Sequence, residues 1–336
     1  MNQTELTGVP AVDVTRGERV ESTHAVAACT CDDDGRIIEA LGAVDVPVFL
    51  RSAAKPFIAA AVVRSGAAER FGFTLEEIAL MCGSHNGEAV HAATAAAMLA
   101  KIGASEADLA CGATLPADEA ATTSLRAAGG GPSALYNNCS GKHAGILALA
   151  RVLDAPLAGY LELAHPAQQA VIALCERAFD ERFGADRLGI DGCGIPVFAT
   201  SLATAARTFA RFATLRHFAP DDRAALAVTR DAMIAHPWFV GGTDRFDTDL
   251  MRAARGRIAA KAGAEGVHAA ALLDRGIGLV VKVVDGSRRA VAPAAVARLI
   301  ALGALDPGQR IALDRHARTA VRNVAGTVVG EIRARG

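Results

Sequence analysis

Strand signals sit at the two ends of this chain, and helix signals fill the space between them. Residues 24–30 and 36–44 read as strands joined by a turn at Asp32-Asp33-Asp34-Gly35, and residues 46–50 form a third short apolar run. The next clear pair comes near the C-terminus, where 267–273 and 278–284 flank the turn Asp274-Arg275-Gly276, and 326–332 offers a last strand. A buried strand must give its backbone N–H and C=O groups partners on a neighbour. Strands divided in this way are best satisfied when one end of the chain pairs with the other. The expected fold class is therefore α+β, with an antiparallel sheet built from both chain ends and a helical region between. All 336 residues are expected to form a single domain. An α/β part is expected from about 20–65 and 255–336, and a helical part from about 66–254.

In the middle, Ser52 is expected to open an alanine-rich helix running to residue 64, since Pro56 is tolerated only in a first turn. Gly66 is its expected stop. Thr74 and Glu77 have the spacing of a capping box ahead of Ile78 and Leu80, and after Gly83 a second helix is expected over 88–101. Gly129-Gly130-Gly131-Pro132 is the strongest loop signal. Helical patterning returns over 142–153, continues to about 183, and recurs over 197–233 and 291–302. Aromatic residues are only 4% of the chain, so the core must be made mostly of Ala, Val, Leu and Ile.

Charge and cysteine content narrow the class of function. Lys and Arg number 35 against 36 Asp and Glu, a formal net charge of −1, which gives no global footprint for nucleic acid or an anionic membrane. No run of about 20 apolar residues is free of charge or proline, so no transmembrane helix is expected. The first 14 residues lack the apolar stretch of a secretory signal. Seven scattered cysteines, an odd number, argue for thiols or metal ligands over a disulfide framework, and a cytoplasmic location is expected.

Two constellations carry chemistry. The first begins with Arg51-Ser52-Ala53-Ala54-Lys55. A spacing of three at a helix start puts Ser52 and Lys55 on one face. A serine becomes a nucleophile when a base takes its proton, and a lysine amine is such a base once burial or a neighbouring cation favours its neutral form. The helix N-terminus adds free N–H groups suited to a developing oxyanion. Taken alone, the spacing reads first as an N-cap at Ser52 and a solvated first-turn residue at Lys55. Ser84-His85-Asn86 lies in a Gly-bounded loop, and Lys261-Ala262-Gly263 precedes the C-terminal strand pair. In that order the three pieces echo the S-x-x-K, S-x-N and K-x-G elements of penicillin-recognising enzymes. Ser84 also reads as a helix cap and Lys261 as a surface charge.

The second constellation is Asn138-Cys139-Ser140-Gly141-Lys142-His143 together with Asp191-Gly192-Cys193-Gly194. Cys139, Lys142 and His143 fall at i, i+3 and i+4, so one helical turn presents all three. Cys193 in a Gly-flanked turn could bring a second thiolate, and two thiolates form the heart of many zinc sites. Two ordinary buried cysteines are the other reading.

These residues, with Pro56 after Lys55, Cys82-Gly83 before Ser84, and Ile195-Pro196 after Gly194, resemble the asparaginase II family. This is the thermolabile, Rhizobium etli-type L-asparaginase, and the resemblance runs over about 24–332. It implies a fold like serine β-lactamases and glutaminases, usually in a homodimer. It implies two Ser–Lys pairs, Ser52 with Lys55 and Ser84 with Lys261. It implies zinc held by Cys139, Lys142 and Cys193, and places Arg51, His143 and Asp191 at the substrate pocket. Nothing in the spacing itself chooses Lys142 over His143 as a ligand. The activity implied is hydrolysis of L-asparagine to L-aspartate and ammonia. Other readings are another Ser–Lys hydrolase (β-lactamase, peptidase, esterase or glutaminase) and a zinc-binding protein without turnover.

Overall fold

Eight strands drawn from both ends of the chain form one antiparallel sheet in the computed structural model, which describes residues 5–335. Its order is Arg318–Arg322, Val328–Ala334, Val9–Arg16, Arg19–Asp32, Ile277–Val283, Val267–Leu272 and Ile258–Ala262, and Ile37–Leu41 also pairs with Arg19–Asp32. The central register sets Cys29 opposite Val280 and Ala269 opposite both Val280 and Lys261. Val267–Leu272 is buried at every position, the pattern of a strand covered on both faces. The helices Leu202–Thr214 and Val291–Ala301 pack on this sheet. Gly278 lets the first of them approach, because a Cβ there would lie 1.9 Å from the Ala206 carbonyl oxygen.

The chain divides into two compact units. The sheet unit takes residues up to Ala53, Thr200–Thr214, and residues from Asp249 onward. The second unit, Ala54–Ala199 with Leu215–Thr248, is mostly helical. Its centre is the helix Ser140–Val152, buried at every position from Ser140 to Ala150. A helix buried all round needs neighbours on all sides. Lys55–Arg64, Leu75–Cys82, Ala89–Lys101 and Pro166–Phe179 supply them. Gly141 permits the crossing with Leu75–Cys82, since a Cβ there would meet Leu80 Cγ at 2.6 Å. Thr74 and Glu77 form the expected capping box. Among the described residues no helix is long and apolar enough to cross a membrane.

The structure corrects several expectations. Ser52 does not open the helix. Arg51–Ala54 is a 3-10 turn, Arg51 has φ +52°, and the α-helix starts at Lys55, with Pro56 still in its first turn. Residues 197–201 are not helical. Pro196–Ser201 is a strand paired with Leu188–Ile190, as its Val-Phe-Ala-Thr core allows, and the helix begins at Leu202. Lys261 precedes the C-terminal strand pair as expected, but it lies within a further strand, Ile258–Ala262, that the patterning did not mark. Val9–Arg16 and Arg318–Arg322 are strands that the patterning did not mark.

Candidate active site

Placing Lys55 at the first position of its helix sends its side chain inward, and the residue is 1% exposed. A buried amine must be surrounded by acceptors. Lys55 Nζ donates to the Gly83 carbonyl and lies 3.0 Å from Ser84 Oγ and 3.3 Å from the Asn138 carbonyl oxygen. Ser84 follows the end of helix Leu75–Cys82, and Gly83 there is obligatory, because a Cβ would meet the Phe239 carbonyl oxygen at 2.6 Å. The Ser84 N–H is fixed by the Val240 carbonyl at 2.8 Å.

The rest of this loop is tied down on both sides. Asn86 donates to the Thr243 carbonyl at 2.8 Å and accepts from Arg245 at 3.0 Å. His85 Nδ1 accepts the Gly87 N–H at 3.1 Å, so its proton is on Nε2, which faces Ser140 Oγ at 3.1 Å. The His85 ring stacks on His91, and His91 stacks on Trp238 at 4.0 Å. Ser84 is thus presented by a loop with little freedom, the condition a reacting hydroxyl needs.

Asn138 connects the two constellations, because its carbonyl receives Lys55 while its side-chain oxygen accepts from the Cys139 thiol at 3.1 Å. Asn137 holds this segment, taking the Cys139 N–H at 2.9 Å and donating to the Cys111 carbonyl at 2.8 Å. Lys142, one turn on, is 2% exposed and donates to Cys193 Sγ at 2.8 Å. Cys193 is carried by the tight turn that follows Leu188–Ile190. In that turn Gly194 adopts φ +91° and donates to the Asp191 carbonyl at 2.8 Å, and Asp191 Oδ2 lies 3.8 Å from Cys193 Sγ.

The charges of this cluster are coupled. A hydrogen bond from Cys193, aided by Lys142 and Lys55, holds the Cys139 thiol well below its ordinary range. The same bond pushes the Cys193 thiol up. Burial opposes the charge on Lys142, but Cys139 and Cys193 outweigh it and raise its pKa. Burial pushes the nearby Cys111 thiol up to about 11. Burial, reinforced by Lys142 and Lys55, holds His143 far below the usual histidine range, so its ring is neutral. His143 Nδ1 is 2.7 Å from the Tyr160 hydroxyl, and His143 Nε2 is buried without a hydrogen-bond partner among the described residues.

Seven of the ten residues singled out in the sequence belong to the helical unit: Lys55, Ser84, Cys139, Lys142, His143, Asp191 and Cys193. The structure brings these together through the contacts above. Arg51, Ser52 and Lys261 belong to the sheet unit. Arg51 and Ser52 are half-buried in the 3-10 turn, and Lys261 is fully buried, donating to the Ala262 carbonyl at 2.7 Å. The sequence reading missed Tyr160, Cys111 and the bond between Lys55 and Ser84. Its usable signal was that Tyr160 is one of two tyrosines in a chain poor in aromatics.

A family profile described as L-asparaginase II matches residues 12–334. No curated protein matches the sequence significantly. Among solved structures, one titled as a crystal structure analysis of Mglu aligns with TM-score 0.44 and 16% identity over 83% of this chain and 67% of that one. Mglu in its native form aligns with TM-score 0.42 and 17% identity over 83% and 65%. Mglu in its L-glutamate binding form in 4.3 M NaCl aligns with TM-score 0.43 and 15% identity over 86% and 60%. The present chain spans about two thirds or less of the length of these chains.

Proposed function

The chain belongs to the asparaginase II family of amidohydrolases, and from that premise we propose that it hydrolyses L-asparagine to L-aspartate and ammonia with serine and lysine side chains. The observation that carries this reading is the buried contact of Lys55 Nζ with Ser84 Oγ at 3.0 Å. Ser52, three residues ahead of Lys55, attacks the side-chain amide carbon while Lys55 acts as the base that takes its proton. The carbonyl π electrons move to oxygen. Collapse of the tetrahedral intermediate breaks the C–N bond, and a proton passes through Ser84 and Lys261 to the departing ammonia. Water then adds to the aspartyl ester, a lysine takes its proton, and release of aspartate returns the hydrogen to Ser52. Arg51 holds the substrate α-carboxylate, Asp191 its α-ammonium, and His143 completes the pocket. The Lys55–Ser84 bond also favours a second reading, in which Ser84 attacks with Lys55 as its base.

The residues that would hold zinc are Cys139, Lys142 and Cys193. The donor chemistry fits in that two sulfur donors and an amine converge, the Cys139 thiol is held well below its ordinary range by its bond with Cys193, and Lys142 reaches Cys193 at 2.8 Å. Lys142 fits only after it gives up its proton. Bound zinc would supply a Lewis-acidic centre and a rigid tie between the helix start and the Cys193 turn. A small-molecule substrate, a homodimer and a cytoplasmic location complete the proposal. The test is ammonia release from a panel of asparagine, glutamine and simple amides, with nitrocefin included. Turnover of nitrocefin without ammonia release would favour a β-lactamase instead.

A further inference from the structure

We propose that Tyr160 is a positioning residue that fixes the tautomer of His143, so that His143 keeps its ring proton on Nε2 and offers it to an oxygen of the substrate. Only the identity of that oxygen rests on the amide-hydrolase reading.

Tyr160 lies on the loop after helix Ser140–Val152 and is 2% exposed. Its backbone carbonyl accepts from the fully buried Gln168 at 2.7 Å, which anchors the loop on the next helix. Its hydroxyl accepts the Ala110 N–H at 2.9 Å and meets His143 Nδ1 at 2.7 Å. A phenol has one proton to give, and burial raises the pKa of this one, so the proton stays on. Two arrangements are open. If His143 carried its proton on Nδ1 and donated to the phenol, the hydroxyl would receive two donors. Its own proton would then have no acceptor, and Nε2 would be a second buried atom without a partner. If the phenol donates to Nδ1, every polar atom of the Ala110–Tyr160–His143 chain is satisfied except one, the Nε2–H. A stranded buried group loses its hydrogen bond to water with nothing in return, so the second arrangement, which strands fewer, wins. A doubly protonated ring would strand the same phenolic proton, so the conclusion does not depend on the charge of His143.

The remaining donor is not in an indifferent place. His143 is fully buried, directly follows Lys142, and feels the charges of both Lys142 and Lys55. A neutral N–H there suits a carbonyl or carboxylate oxygen of a small amino-acid amide. It also cannot bind a metal, because a histidine nitrogen ligates through the lone pair that this proton occupies. The backbone N–H of Ala110 thus acts at a distance, through Tyr160, on which ring nitrogen of His143 carries the proton.

The test is a long-range 1H–15N correlation on the full-length protein labelled with 15N-histidine, with His143 assigned from the signal lost in His143→Gln. The expected spectrum shows His143 protonated on Nε2 and bare on Nδ1. Tyr160→Phe removes the hydroxyl but keeps the ring, and should turn the single tautomer into a mixture. It should also raise KM for asparagine about 2- to 10-fold with kcat changed less, the loss of one hydrogen bond's worth of orientation. L-Aspartate, added as a probe, should shift the Nε2 signal more than the Nδ1 signal. A wild-type His143 protonated on Nδ1 would overturn the proposal, as would a Tyr160→Phe protein with an unchanged tautomer. Aspartate bound with Nε2 unmoved would overturn the donor role. If aspartate does not bind, the substrate reading fails, while the tautomer still stands or falls on the spectrum of the free protein, which needs no variant to fold.

Discussion

Lys55 Nζ and Ser84 Oγ are 3.0 Å apart across 29 residues of sequence, and both side chains are buried. The Gly83 and Asn138 carbonyls take two N–H donors of the amine. The amine also donates to Ser84 Oγ, which puts lysine and serine within reach of a direct proton transfer. This is the arrangement a base needs. Ser84→Ala should lower kcat about 10²- to 10⁴-fold, the usual weight of a positioned proton-transfer group, with little change in thermal midpoint. Lys55→Met should lose as much activity and about 1–3 kcal/mol of stability, because two buried carbonyls lose their donor. Steady-state kinetics with a melting curve for each variant checks both.

Activity should rise with pH. If amines are the bases, the fraction in the neutral form grows as pH increases, and kcat/KM should climb to an alkaline optimum. A profile already flat from acid to neutral pH would show that no amine does this work.

Stability should fall in acid through Asp222. It is 4% exposed and receives Arg177 at 2.7 and 3.0 Å and Arg64 at 2.6 Å, tying helices Lys55–Arg64, Pro166–Phe179 and Pro220–Ala235 together. Burial alone would raise its pKa, but the two arginines outweigh it and hold it below the ordinary value. The carboxylate therefore stabilises the fold fully above its unfolded pKa of about 3.9, and the contribution is lost as pH falls through the lower folded value. Asp222→Asn should cost about 1.5–3 kcal/mol at neutral pH and flatten the acid limb of a melting-temperature profile.

Cys193→Ser should lower zinc content and raise KM for asparagine more than it lowers the maximal rate. The thiol and Lys142 already meet at 2.8 Å, and losing the soft donor loosens the turn that carries Asp191. Metal analysis of carefully purified protein and kinetics on both forms read this out. Unchanged metal content and KM would return Cys139 and Cys193 to the status of buried thiols.

The sheet was legible because residues 24–30 and 278–284 carry the apolar runs of doubly covered strands. Ile258–Ala262 was not, since its Ala-Ala-Lys-Ala body has none of the β-branched residues that mark a strand. Val9–Arg16 hid for another reason: its first and last residues are exposed, so its composition reads as a polar tail. The residues of the candidate site were legible as motifs, because turns rich in Gly, Asn and Ser stand out from alanine-rich helices. Their partners were not. Spacing suggested Lys55 for Ser52, whereas its visible hydrogen bond is to Ser84, which depends on where helix Leu75–Cys82 ends. Tyr160 stood out only by its rarity and lay in no motif, because its role comes from a tertiary contact with His143.

The most direct measurement is ammonia release from L-asparagine by the purified wild-type protein and by Ser52→Ala, with thermal midpoints recorded for both. Ser52 is half-buried and caps no helix, so its loss should leave stability within about 0.5 kcal/mol. The predicted result is one ammonia per asparagine from the wild type and none from the folded variant. Full activity in Ser52→Ala would move the attack to Ser84, and no ammonia from asparagine, glutamine or close analogues with the wild type would contradict the proposed hydrolysis.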